Sequence, residues 1–95
     1  MHVVISARAR DDLGAIWDFL ALRSVAAADR VTAELIDRAL EIGEAPLAAP
    51  IAYGLGAGET RRVNVRSWAI FYEVHEGYVH ILRFVQGRGD PASWS

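Results

Sequence analysis

Apolar residues recur along this chain with two different periods. His2 to Ile5 is a short β-branched run bounded by Ser6, which reads as a single strand. From there the period lengthens: Leu13, Ile16, Trp17 and Leu20 fall at the i, i+3, i+4, i+7 spacing of one helical face. Ser6 is placed to cap that helix, and Asp11 and Asp12 lie near its start, where carboxylates complement the positive end of the helix dipole. A first helix is expected from about Ala7 to Leu22. Ser24 is a second cap. Beyond it Ala28, Val31, Leu35, Ala39 and Ile42 form a stripe, widened by Ile36 and Leu40 and ended by Gly43 and Pro46. A helix from Val25 to Ile42 is about 27 Å long at 1.5 Å per residue. The short turn around Arg23 and Ser24 folds it back along the first as an antiparallel hairpin.

Pro46 to Glu59, with Pro50, Gly54, Gly56 and Gly58, carries the turn chemistry of a loop. Its glycines are not a phosphate loop, because no Gly-Lys-Ser/Thr follows. Three β-rich runs then come almost without interruption: Arg61 to Val65, Trp68 to Val74 and Tyr78 to Val85. They predict an antiparallel meander resting on the helices, hence an α+β fold of order β-α-α-β-β-β.

A two-residue turn at Glu76-Gly77 sets His75 opposite Tyr78, Glu73 opposite His80 and Tyr72 opposite Ile81. A second two-residue turn at Ser67-Trp68, which lacks the usual Asn-Gly signature, sets Arg62 opposite Glu73. The faces then separate. Val63, Val65, Ile70, Tyr72, Val74, Val79, Ile81 and Val85 belong on the helices; Arg62, Asn64, Arg66, Phe71, Glu73, His75, Tyr78, His80, Leu82 and Phe84 make a second face, too polar for a core and too aromatic for ordinary solvent. Arg83 falls on the core side in this register and is expected near the strand end, reaching out past the helices. Arg62, Glu73 and His80 form one row, which reads in two ways. It is either a cross-strand ion pair with a neighbouring imidazole, contributing about 0.2 to 1 kcal/mol, or a proton-transfer site in which Glu73 or His80 takes a proton and Arg62 steadies phosphoryl charge during RNA cleavage.

Ninety-five residues suit one domain spanning 1–95. The 53% hydrophobic share is high for so small a globule and leaves apolar surface for a partner, although Ala contributes much of it. Ten basic against twelve acidic residues give a formal charge of -2, so the molecule as a whole has no long-range attraction for nucleic acid. Every basic residue is Arg; there is no Lys to act as a compact catalytic ammonium. The absence of Cys excludes disulfides and thiolate metal sites and suits a reducing compartment. His2, His75 and His80 have no metal-binding spacing with carboxylates, so no cofactor is expected. Neither a signal peptide nor an apolar stretch of roughly 20 residues is present, which predicts a cytoplasmic protein.

Taken in order, the helical opening Ala9-Arg10-Asp11-Asp12-Leu13 with Ile16, the strand start Arg61-Arg62-Val63, the run Trp68-Ala69-Ile70-Phe71-Tyr72 and the ending Ile81-Leu82-Arg83-Phe84-Val85-Gln86-Gly87-Arg88-Gly89-Asp90 resemble the ParE/RelE superfamily of toxins from bacterial toxin-antitoxin pairs. The resemblance covers nearly the whole chain and is greater to ParE-like members. It implies a toxin of a type II pair that poisons DNA gyrase as a protein ligand and is neutralised by a ParD-like, ribbon-helix-helix antitoxin whose disordered segment folds onto it. Arg62, Phe71, Arg83 and Phe84 are then candidates for antitoxin contact, and Arg88, Asp90 and Trp94 for target contact. Gln86 stands where His is frequent in the family, and Trp68 where Tyr is common. The alternative is a RelE-like, ribosome-dependent messenger endoribonuclease using Arg62, Glu73 and His80; the missing lysines and the negative charge weigh against it. A decayed member that binds an antitoxin and harms nothing is a third possibility. No membrane association and no sequence-specific nucleic-acid binding by the toxin alone are expected.

Overall fold

The computed structural model describes residues 1–55 and 58–87. Its elements run β1 His2–Ile5, α1 Ala7–Ala21, α2 Val25–Ile42, β2 Ile51–Leu55, β3 Gly58–Val65, β4 Trp68–His75 and β5 Tyr78–Gln86. The five strands form one sheet in the order β1-β5-β4-β3-β2. Neighbours are antiparallel except β1, which runs parallel to β5 with His2 beside Tyr78 and Ile5 beside Ile81. The sheet is therefore mixed, not purely a meander. A parallel neighbour needs a crossover, and the helical hairpin between β1 and the later strands supplies it.

Both helices begin where a serine caps them: Ser6 accepts from the Ala9 N–H at 3.0 Å and Ser24 from the Ala27 N–H at 3.1 Å. Ser6 also ties the strand-helix junction to β5, its N–H donating to the Ile81 carbonyl and its hydroxyl to that of Leu82. The Trp17 indole N–H donates to Asp29 at 2.8 Å and links the two helices. Where α2 stops, Gly43 passes so close to Met1 and Val3 that a Cβ would collide with the Met1 carbonyl. The core lies between the hairpin and one face of the sheet. Ala9, Ile16, Leu35, Ala39 and Ile42 meet Val63, Ile70, Tyr72, Val79, Ile81 and Phe84 there.

Three expectations need correction. The segment expected to be a loop from Pro46 to Glu59 contains β2, and β3 begins earlier than Arg61; Ile51 pairs with Arg61 and Leu55 with Gly58 across a ladder carrying a bulge between Ile51 and Tyr53. Pairing with β3 gives this stretch the backbone partners that its Gly-rich composition does not advertise.

The second correction concerns the β3–β4 turn, which is Arg66-Ser67 because Val65 pairs with Trp68. Arg66 adopts φ 55°, a left-handed conformation uncommon for a residue with a side chain. Arg62 consequently stands opposite Phe71, and Arg61 opposite Tyr72.

The third concerns the far half of the β4–β5 hairpin. Tyr72–Ile81, Glu73–His80 and His75–Tyr78 pair as expected, but a bulge between Phe71 and Tyr72 shifts the remainder, so that Phe71 faces Arg83 and Ile70 faces Phe84. Phe84 enters the core at 2% exposure, while Val85, opposite Ala69, leaves the core face.

Candidate functional site

The broken register separates the row Arg62, Glu73, His80. Glu73 and His80 remain directly opposed. The Glu73 carboxylate lies 3.3 Å from Nε2 of His75, not against Arg62. His75 stacks on Tyr78 with ring centroids 5.0 Å apart, and His80 sits at 6.0 Å from His75 and 6.3 Å from Tyr78. The parallel pairing of β1 brings His2 beside Tyr78 as well, so all three histidines of the chain gather at one end of the sheet. Sequence reasoning missed His2, because nothing near it reveals that it will pair with a strand 76 positions later. No group of three His, Asp or Glu among the described residues has the geometry to hold a metal ion.

Of the four candidates for antitoxin contact, three are committed within the fold. Phe71 is fully buried and Phe84 nearly so. Arg83, opposite Phe71, reaches beyond the end of the β1 ladder to Asp12 of α1, with Nε at 2.7 Å and a terminal nitrogen at 3.0 Å from its two carboxylate oxygens. The same carboxylate accepts the Phe84 N–H at 3.0 Å, which satisfies an edge donor of β5 where β1 no longer covers it. Arg62 is different. It is half-buried, its guanidinium lies 5.3 Å above the Phe71 ring centroid, and its Nε donates to the Asn64 side-chain oxygen at 2.9 Å. Among the described residues no carboxylate stands within ion-pair distance of it. Arg88, Asp90 and Trp94 lie outside the described residues.

Arg62 also lines a groove of about 370 Å³ between α2 and β3, together with Arg38, Glu41, Ala45, Ala48 and Tyr72. Positions 38, 41 and 42 lie three to four residues apart on one side of α2, so its last turn makes one wall. Residues 45–50 make the floor, held in place from above. The buried Tyr72 hydroxyl donates to the Pro46 carbonyl at 2.6 Å, and the Arg61 guanidinium donates to the carbonyls of Ala49 at 2.6 Å and Leu47 at 3.3 Å. Burial raises the Tyr72 pKa above its ordinary value, opposed by the nearby Arg61 charge. The other wall is the outer edge of β3. β2 covers that edge only as far as Arg61, after which the Arg62 N–H turns outward to the Pro50 carbonyl at 3.3 Å. Beside the groove Leu47 and Ile51 are exposed at 66% and 49%. Further large apolar side chains are exposed on the hairpin, including Phe19, Leu22 and Leu40.

The protein is a mixed five-stranded sheet backed by one helical hairpin, with a notched edge and several large apolar side chains left in water. The sequence profile described as ParE toxin of type II toxin-antitoxin system, parDE, matches residues 3–91, and the chain belongs to that family. A solved structure described as "Chromosomal ParDE TA system from P. aeruginosa" shares the fold with a TM-score of 0.76; the match covers 90% of this chain and 95% of that one at 18% identity. No curated protein matches the sequence. Among the described residues no helix is long and apolar enough to cross a membrane.

Proposed function

We propose that this ParE-family toxin acts in the cytoplasm as a protein ligand of DNA gyrase, holding the enzyme in its DNA-cleaved state, and that a ParD-like antitoxin neutralises it by direct binding. The observation that carries this reading is the family match over residues 3–91. The likeness in fold to a chain from a ParDE system supports a paired antitoxin. The chemistry of the chain agrees. A net charge of -2 and the absence of Lys give no general affinity for ribosomal phosphates, and Arg62 stands apart from Glu73 and His80 in the register, leaving an RNA-cleaving row without its cation. On this reading the toxin catalyses nothing, and the exposed apolar side chains serve association.

The test has two arms. Purified toxin is added to gyrase with supercoiled plasmid, and separately to translating ribosomes, alongside Arg62→Ala, His80→Ala and a truncation after Gly87. The reading predicts linear plasmid that requires gyrase and the segment beyond Gly87, and intact messenger. Messenger cleavage that disappears with His80→Ala, with gyrase unaffected, refutes it in favour of an endoribonuclease.

A further inference from the structure

The helix α2 has a second apolar face, turned away from the core and left exposed among the described residues. We infer that this face is a self-association surface, on which α2 of a second copy of this chain packs antiparallel about a two-fold axis beside Ala33.

Spacing defines the face. The buried side of α2 is Ala28, Leu35, Ala39 and Ile42. Ala26, Ala33 and Leu40 recur every seven residues on another side, and all three are exposed. A seven-residue repeat returns a side chain to nearly the same bearing, and it is the repeat by which one helix lies along another. Sequence reasoning assigns Ile36 and Leu40 to the core stripe; in the fold both stand in water, Leu40 at 52%.

Charge selects the occupant. Arg30 and Asp37, also seven residues apart, border this face on one flank and are exposed. Among the described residues neither has an ion-pair partner. Across a two-fold axis residue i meets residue j and j meets i. With the axis beside Ala33, Leu40 lies as far to one side as Ala26 lies to the other, so each leucine seats on the other copy's small alanine. Arg30 and Asp37 come level to within about 1.5 Å along the helix, and each guanidinium meets the other copy's carboxylate. A parallel copy would set Arg30 against Arg30 and Asp37 against Asp37, and an occupant of one sign would oppose one of the two charges. The ends agree with this pairing. Leu22 and Val25 are exposed beside the start of α2, and Leu47 just beyond its end. Antiparallel packing brings the first end of one copy to the last end of the other, where these side chains leave water together.

The experiment uses the full chain, with circular dichroism confirming each variant, and reads the oligomeric state by sedimentation velocity over a wide range of concentration. The average mass is expected to rise from one chain to two. Leu40→Glu, Arg30→Asp and Asp37→Arg are each expected to raise the dissociation constant at least about tenfold. The double variant Arg30→Asp/Asp37→Arg should recover it to within about threefold, while Arg62→Ala, on the sheet, leaves it within about twofold. Because the chain has no cysteine, Ala33→Cys introduces a single thiol, and oxidation should join two copies through it. Ala26→Cys, about 10 Å from the axis along the helix, should not join to itself but should join to Leu40→Cys in a mixture. A single chain at every concentration overturns the assignment, as does a dimer that neither Leu40→Glu nor the single charge reversals weaken. Ala26→Cys that cross-links to itself shows parallel helices and overturns the pairing. None of these failures touches the gyrase reading, which plasmid cleavage tests separately.

Discussion

Single side chains in this protein do work that their sequence neighbours do not reveal. Asp12, read from sequence as a helix-dipole partner, is the hub of a cross-element contact: it holds Arg83 with both oxygens and takes the Phe84 N–H, with 12% of its side chain exposed against 15% for Arg83. Removing one member of so sheltered a pair strands the other. Asp12→Ala is expected to lower stability by about 2–4 kcal/mol in urea titration, with Arg83→Ala and the double variant far from additive; additivity would show that the contact is not formed. The pair Arg66–Glu34 tests the opposite case. It is bidentate at 2.6 and 3.1 Å but exposed. The hydrogen bond from Arg66 holds the Glu34 carboxyl below its ordinary 4.5. A carboxylate whose folded pKa is depressed contributes stability above its unfolded pKa and loses it as pH falls through the folded value. A double-mutant cycle should give a small coupling at neutral pH that salt weakens and that vanishes well below pH 4.5. Coupling that persists in strong acid would contradict this account.

At the scale of elements, periodicity was enough for the helices and not for the sheet edges. Both helices lie where their apolar stripes and serine caps put them, because a 3.6-residue period over several turns averages out local noise. Register is less forgiving. A non-Gly residue in the left-handed region, Arg66, moves the β3–β4 turn by one position and carries Arg62 away from Glu73. The bulge at Phe71/Tyr72 has no glycine to mark it, yet it sends Phe84 inward. The pairing of β1 with β5 is non-local and leaves no signal in either strand. Arg62 reads from sequence as a residue of the second sheet face, but the groove it lines does not, since the floor of that groove lies in a segment that reads as loop. Tyr72 fastens that floor. Tyr72→Phe is expected to cost about 1 kcal/mol and to speed hydrogen exchange at the amides of residues 47–49 with little change in α1. The Tyr72 pKa is raised above 10.0, chiefly by burial, so the folded state retains the phenol proton longer than the unfolded chain. Stability dependent on the neutral phenol is intact below pH 10 and lost as pH rises from there toward the folded value. The Phe variant should lack that alkaline component; an unchanged alkaline profile would count against the Tyr72–Pro46 bond.

For the whole molecule, net charge, architecture and surface combine into one functional argument. An Arg-only protein of charge -2 has little to draw it to a polyanion, and its exposed apolar side chains suit docking to other proteins. A toxin that works by adhesion is consumed in proportion to what it holds. The most direct measurement titrates purified toxin against a fixed amount of gyrase on supercoiled plasmid and follows linear DNA. The account predicts that linear product saturates once toxin reaches the gyrase concentration and falls when a cognate ParD-like antitoxin is added in equal amount. Trace toxin that leaves gyrase untouched while cutting many equivalents of a messenger would contradict it.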